Sequence, residues 1–384
     1  MAEPPIYLDY HATTPVDPRV LKEMLPFFEA DFGNAASRHA YGWRAEEAVQ
    51  VARKRVAALI GAEAREIVFT SGATESDNLA IKGVFEACGG AGTHIVSART
   101  EHSAVLDSLA EVEARGAQVT WVPVGPDGRV RIEDVEAALT EQTVLITLMA
   151  ANNEVGTLHR VRKIGQLAEA RGILFHTDAA QAVGRVPFDV RKDHVHLASL
   201  TAHKFYGPKG CGALYVRRRD PEVKITIQMH GGGHERGMRS GTSNVPGIVG
   251  LGMACELCRQ EPGQEAERTA RLRDRLEGAL LERLDGVHVN GCREARLPGN
   301  LNVCFDGVDG ESLLLALPDL ALSTGSACHS DKVDPSHVLQ AMGISRQLAL
   351  AALRFGIGRP TTEAEVDRAA DRVVEAVQAL RTGR

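Results

Sequence analysis

Apolar positions fall into two periods along this chain. From about residue 45 to 260, short β-branched runs alternate with stretches spaced as helices. Val49, Ala52, Val56 and Leu59 lie on one helical face. Residues 66–70 predict a strand, followed by a Gly-containing turn and a helix through Leu79 and Val84. Residues 94–98 predict a second strand and 101–114 a helix. Residues 144–150 and 173–177 predict buried strands with a helix over 163–170 between them, and 197–201 and 213–216 complete the set. Strands that are apolar on both faces and alternate with helices build a mostly parallel sheet covered on both sides, an α/β fold.

Glu261-Pro262-Gly263 interrupts this pattern. Beyond it Leu272, Leu276, Leu280 and Leu284 recur every fourth residue, the mark of a long amphipathic helix. Further strands are expected near 287–290, 301–305, 320–323 and 353–357. A last helix should open at a capping box, Thr362 to Glu365, and run through Val366, Val373, Val377 and Leu380. The junction predicts a large unit over 16–262 and a smaller one over 263–384, with residues 1–15 packing on the latter. No internal repeat or low-complexity tract is visible.

Composition narrows the function. The 384 residues carry a net charge of −6, which argues against a surface that coats nucleic acid. The seven cysteines are odd in number and scattered, so a disulfide scaffold is not expected and a reducing cytoplasm is. The first residues, Met1-Ala2-Glu3-Pro4-Pro5, lack the basic and apolar regions of a signal peptide. No apolar run approaches membrane-spanning length, so no membrane partner is expected.

Three segments carry candidate chemistry. Lys204 follows a buried strand in Ser199-Leu200-Thr201-Ala202-His203-Lys204 and precedes a Gly-Pro turn. Burial lowers a lysine pKa, and a neutral amine can form a Schiff base; taken alone, such a lysine is more often solvated. Asp178 ends the run Phe175-His176-Thr177, where ligands of open α/β sheets sit; it could pair with a pyridinium nitrogen or cap a helix. Thr70-Ser71-Gly72-Ala73-Thr74 joins a strand to a helix through small hydroxyl residues, which suits a phosphate, or ordinary capping. Phosphate cradle, ring-nitrogen acid and Schiff-base lysine together point to pyridoxal phosphate.

Cys328 lies in Ser323-Thr324-Gly325-Ser326-Ala327-Cys328-His329-Ser330, a small, polar stretch that reads as a mobile loop, and His329 and Lys332 favour its thiolate. The other six cysteines sit in apolar or helical contexts and are expected to be inert; Cys255 and Cys258 form a CxxC without a second pair, so no metal site is expected. Arg354 interrupts an apolar strand and would serve a substrate carboxylate or an internal ion pair.

The sequence resembles cysteine desulfurases of the NifS and IscS type, class V, fold-type I pyridoxal-phosphate enzymes. The likeness covers nearly the whole chain through Tyr7-Leu8-Asp9-Tyr10, Gly33-Asn34, the 71–78 turn, Thr100-Glu101-His102, Asn152-Asn153-Glu154, the Asp178 and Lys204 segments, Arg239-Ser240-Gly241-Thr242 and Gly325-Ser326-Ala327-Cys328. The resemblance implies a large domain with a mostly parallel seven-stranded sheet and a smaller α+β C-terminal domain. It implies that Lys204 carries the cofactor and acts as base, and that Asp178 pairs with the ring nitrogen. Gln181 would bond the ring hydroxyl, His102 would stack on the ring, and Ala73, Thr74, Thr201 and His203 would hold the phosphate. Thr242 would reach the phosphate of a neighbouring subunit in a homodimer. Asn34, Asn153 and Arg354 would orient the carboxylate of L-cysteine. Cys328 would take the sulfur as a persulfide for an acceptor protein, in iron–sulfur assembly or in tRNA or cofactor thiolation, or ligate a transferred iron–sulfur cluster.

His11 and Ala35 stand where relatives often carry other residues, with little consequence expected. His329 stands where such enzymes usually have threonine, so selenocysteine lyase is the runner-up. A non-catalytic sulfur-carrier scaffold is the rival of another class. The sequence ends at Arg384 without the longer tail some relatives use to dock a scaffold, which leaves the acceptor open.

Overall fold

The computed structural model describes residues 4–261, 263–324 and 334–383. Twelve strands appear among them: β1 (Ile6–Tyr7), β2 (Ile67–Thr70), β3 (His94–Ala98), β4 (Gln118–Val122), β5 (Thr143–Thr147), β6 (Leu174–Asp178), β7 (Leu197–Thr201), β8 (Gly212–Val216), β9 (Val287–Asn290), β10 (Asn300–Phe305), β11 (Leu320–Ala321) and β12 (Ala352–Gly356). Seven form the main sheet in the order β2-β8-β7-β6-β5-β3-β4. Every pair within it is parallel except the two made by β8. Strands β2, β3, β7 and β8 are buried throughout, as their uninterrupted apolar runs require. Because β8 opposes both β2 and β7, the carboxyl ends of β2, β6 and β7 face the same edge. Thr70, Asp178 and Thr201 therefore meet there.

Several boundaries differ from expectation for physical reasons. The strand expected over 144–150 stops at Thr147, and the chain beyond it leaves the sheet to line the cleft described below. The helix expected from residue 101 starts at Ser103, because the His102 side chain is its N-cap. Strand β4 was not anticipated. It is the edge strand, half-exposed, and its Gln118 and Thr120 break the apolar run.

The C-terminal part has its own core. Helices Gln264–Arg283 and Glu363–Thr382 lie together beside the antiparallel sheet β12-β10-β9, and Leu272, Leu276, Leu280 and Leu284 face Val366, Val373 and Val377. The second helix opens on the expected capping box: Glu365 N donates to Thr362 Oγ1 at 3.2 Å and Thr362 N to Glu365 Oε2 at 2.7 Å. The N-terminal segment is sewn into this part. β1 pairs in parallel with β11, Leu8 enters its core, and Asp9 bridges Gly356. A Cβ on Gly356 would stand 2.7 Å from Tyr10 N, so only glycine admits the segment. The chain then crosses to the turn that carries Lys204.

Candidate active site

At the carboxyl edge of the main sheet lies a cleft of about 640 Å³. One end is an anion cradle. Helix Ala73–Ala87 begins there, and its N-cap Gly72 (φ 156°) offers no side chain to its first turn. The opening N–H groups of this helix therefore face the cleft with the positive end of the helix dipole. Ala73, Thr74, Thr201, His203, Lys209 and Gly210 surround it. Gly212 of β8 approaches so closely that a Cβ would come within 2.6 Å of Gly72 Cα. His203 Nδ1 lies 3.2 Å from Thr13 Oγ1, and burial pulls its pKa down to about 4, so it serves as a neutral hydrogen-bonding group.

The middle of the cleft is built on Asp178. Its Oδ1 accepts from Ala180 N at 2.9 Å, which is the capping-type bond anticipated from sequence, while the carboxyl still faces the cleft. Burial raises its pKa, with His102 opposing. Behind it lie two more buried acids. Asp77 sits 3.6 Å from His176 Nε2, and Glu101 Oε1 accepts from Met149 N at 2.8 Å. Burial raises both well above the ordinary carboxylate range, and Asp178 adds to the rise. A buried carboxyl with acids behind it and open space before it suits a cationic N–H such as a pyridinium. His102 Nδ1 accepts from Ala104 N at 3.1 Å, which leaves its proton on Nε2 and its ring in the cleft. Gln181 and Asn153 also line it.

Lys204 closes the site. Its Nζ donates to His11 O at 2.5 Å and Ala12 O at 2.9 Å. Desolvation, with Arg185 and Arg354 nearby, brings its pKa down from 10.5 to about 7. Half of its population is then a neutral nucleophile near neutral pH. An uncapped helix start, a buried acid and a neutral amine in one cleft fit the phosphate, ring nitrogen and aldehyde of pyridoxal phosphate.

Arg354 answers both sequence readings. It lines the cleft, and it pairs with Asp9 Oδ1 at 2.7 Å while donating to Asn153 O at 3.0 Å; its buried Nε makes no hydrogen bond. Asn34 and Thr242 lie outside the cleft, exposed, Asn34 Oδ1 accepting from Ala36 N at 2.9 Å. Cys328 and His329 lie outside the described residues. Met149 and Ala151 line the cleft without having been singled out. His11 lines it too, noted in the sequence only as a departure from the usual residue, as do Ala12 and Thr13 of the Ala12-Thr13-Thr14-Pro15 run that shares in the resemblance.

Five of the other thiols are held protonated by burial. Burial raises Cys211 and Cys258 to about 12 and Cys304 to about 11, and raises Cys88 and Cys255 too. Among the described residues no cluster of side chains could hold a metal ion, and no helix is long and apolar enough to cross a membrane.

Known proteins share this arrangement. Residues 6–369 match the family described as aminotransferase class-V. A protein of Anaeromyxobacter sp. (strain Fw109-5) named "Cysteine desulfurase IscS" is 58% identical over 378 residues, 98% of this chain and 93% of its own length. One of the same name from Stutzerimonas stutzeri (strain A1501) is 55% identical over 380 residues, 98% and 94% of the two chains. The solved structure of a "NIFS-LIKE PROTEIN" superposes with a TM-score of 0.90 at 39% identity, covering 97% of this chain and 99% of that one. A structure described as "SspA in complex with cysteine" gives 0.82 at 35% identity, covering 92% and 99%.

Proposed function

The chain belongs to the class-V aminotransferase family, and on that premise we infer that its cleft is the active site of a pyridoxal-phosphate-dependent cysteine desulfurase. The enzyme converts L-cysteine to L-alanine and carries the sulfur away. The observation behind the residue assignments is the convergence of Lys204, Asp178 and the uncapped start of helix Ala73–Ala87 on one cleft.

Bound pyridoxal phosphate supplies an electron sink for the bond to the substrate Cα proton. This chain's residues do the rest. The helix start with Thr74, Thr201 and His203 holds the phosphate. Asp178 keeps the ring nitrogen protonated, and Gln181 and His102 orient the ring. Arg354, with Asn153, receives the substrate carboxylate. Lys204, in its neutral form, takes the Cα proton. The Cys328 thiolate then attacks the substrate sulfur: the S–S bond forms as the Cβ–S bond breaks. Protons returned to carbon give alanine, and Cys328 is left as the persulfide. Added together, cysteine and one thiol become alanine and one persulfide.

We assign Cys328 from its sequence context alone. The persulfide goes to an acceptor protein, of iron–sulfur assembly or of thiolation, in the cytoplasm. Six free thiols among the described residues support a reducing compartment. The protein acts as a homodimer with Thr242 reaching the partner's phosphate site. Support comes from the exposure of Thr242 and of Phe28, Phe32 and Trp43, each above 60% for the three aromatics. The separate core of the C-terminal part supports the domain boundary at 262/263, with residues 1–15 joined to the smaller domain.

Mass spectrometry after adding L-cysteine tests this reading. Cys328 should gain one sulfur while alanine appears in equal amount. Cys328→Ala should stay yellow yet form neither; undiminished sulfide release by that variant in the presence of a reductant overturns the nucleophile assignment.

A further inference from the structure

Arg185 does not line the cleft, yet it reaches the turn that does. Its Nε and Nη2 donate to Lys204 O at 3.1 and 2.7 Å, and Nη2 also donates to Tyr10 O at 2.6 Å. Its Nη1 lies 2.8 Å from His11 Nδ1. A guanidinium can only donate, so His11 Nδ1 accepts and the imidazole is neutral. Burial and the neighbouring guanidinium hold its pKa well below 6.5. His11 O, on the same segment, receives the Lys204 ammonium or amine.

No carboxylate among the described residues forms an ion pair with Arg185. Glu265, which feels its charge, is committed to Arg359 at 2.8 Å. The other groups facing Lys204 are Arg354 and Asp9, which neutralise each other at 2.7 Å, the acid Asp178, and His11, His102 and His203, all with lowered pKa. Among the described residues, Arg185 is therefore a cation next to the Lys204 turn that no carboxylate pairs, while Lys209 lies at the cradle end of the cleft.

We propose that Arg185 is a positioning residue for Lys204: it clamps Tyr10 and His11 to the lysine's backbone carbonyl and brings a guanidinium with no carboxylate partner among the described residues to the turn that carries the amine. The proposal rests on Lys204 being the reacting amine of the proposed function. Its test involves no turnover, so the two can fail separately.

Full-length protein freed of cofactor is labelled with trace acetic anhydride across the neutral and alkaline range, and acetylation of Lys204 is followed by peptide mass spectrometry. The wild-type midpoint should fall at about 7. In Arg185→Gln it should rise by about one pH unit, since a like charge has been removed. In Arg185→Lys, which keeps the charge but cannot span the three acceptors, it should stay close to wild type while the melting temperature falls. A Gln variant with the wild-type midpoint overturns the proposal. If that variant fails to fold, the Lys variant decides alone: a midpoint raised by about one unit there overturns it.

Discussion

Lys204 and Asp178 owe their reactivity to opposite responses to the same burial. Removing water disfavours both charged forms, so the amine moves down to about 7 and the carboxyl moves up. Lys204→Ala should lower alanine formation by at least about a hundredfold, measured with the cofactor bound, because the proton acceptor at Cα is gone. Asp178→Asn should cost about as much while the protein keeps its cofactor, since the amide cannot hold a pyridinium proton. Both residues were legible in the sequence because a charge at the end of a buried apolar run is conspicuous. His11 was not, because its contribution comes largely from its backbone carbonyl, which every residue possesses. Arg354 was half legible: a buried guanidinium announces an anion, but spacing cannot tell substrate from Asp9.

Among the elements, those buried on both faces declared themselves, and β3 and β7 fall on the residues expected; the half-exposed β9 does so through its alternating valines. The edge strand β4 did not, since it is only partly covered and its Gln118 and Thr120 break the apolar run, unlike β2 at the other edge. The capping box at Thr362 is a local signal that survives any tertiary context. Thr362→Ala should destabilise the protein by about 1 kcal/mol in denaturant unfolding, with activity unchanged. The cradle was legible as strand, small turn and helix, but not the close approach of β8 behind it. Gly212→Ala would drive a methyl into Gly72 and displace the helix start. The same methyl would press on the Leu200 carbonyl of β7, so the expected result is a cofactor lost on dialysis together with a lowered melting temperature.

The molecule as a whole should be acid-sensitive for a reason remote from the cleft. His159 is buried, its pKa lowered from 6.5 to about 4 chiefly by desolvation, with Arg129 lowering it and Asp127 opposing. The unfolded chain takes up this proton first, so stability is lost as pH falls from 6.5 towards 4. Asp77 and Glu101 act in the other direction, their raised pKa values lending stability that fades as pH rises. His159→Gln should therefore lose less melting temperature than wild type between neutral pH and pH about 4.5. Subunit mixing tests the shared site: Lys204→Ala and Thr242→Glu proteins, each inactive, should regain activity when exchanged into heterodimers.

The seam between β1 and β11 joins residues more than three hundred positions apart in the chain. During synthesis the ribosome releases His11 and Ala12 almost at once, but the partners that fix Ile6, Tyr7 and Asp9 emerge only with residues 320–356. Until then the carbonyls that seat Lys204 are held only from the large part, by Arg185 on Tyr10 and His11 and by Gln181 on His11 O. Completing the Lys204 seat therefore waits on the last strands of the smaller part, and cutting the chain before residue 320 should leave a protein that binds cofactor more weakly than the full chain.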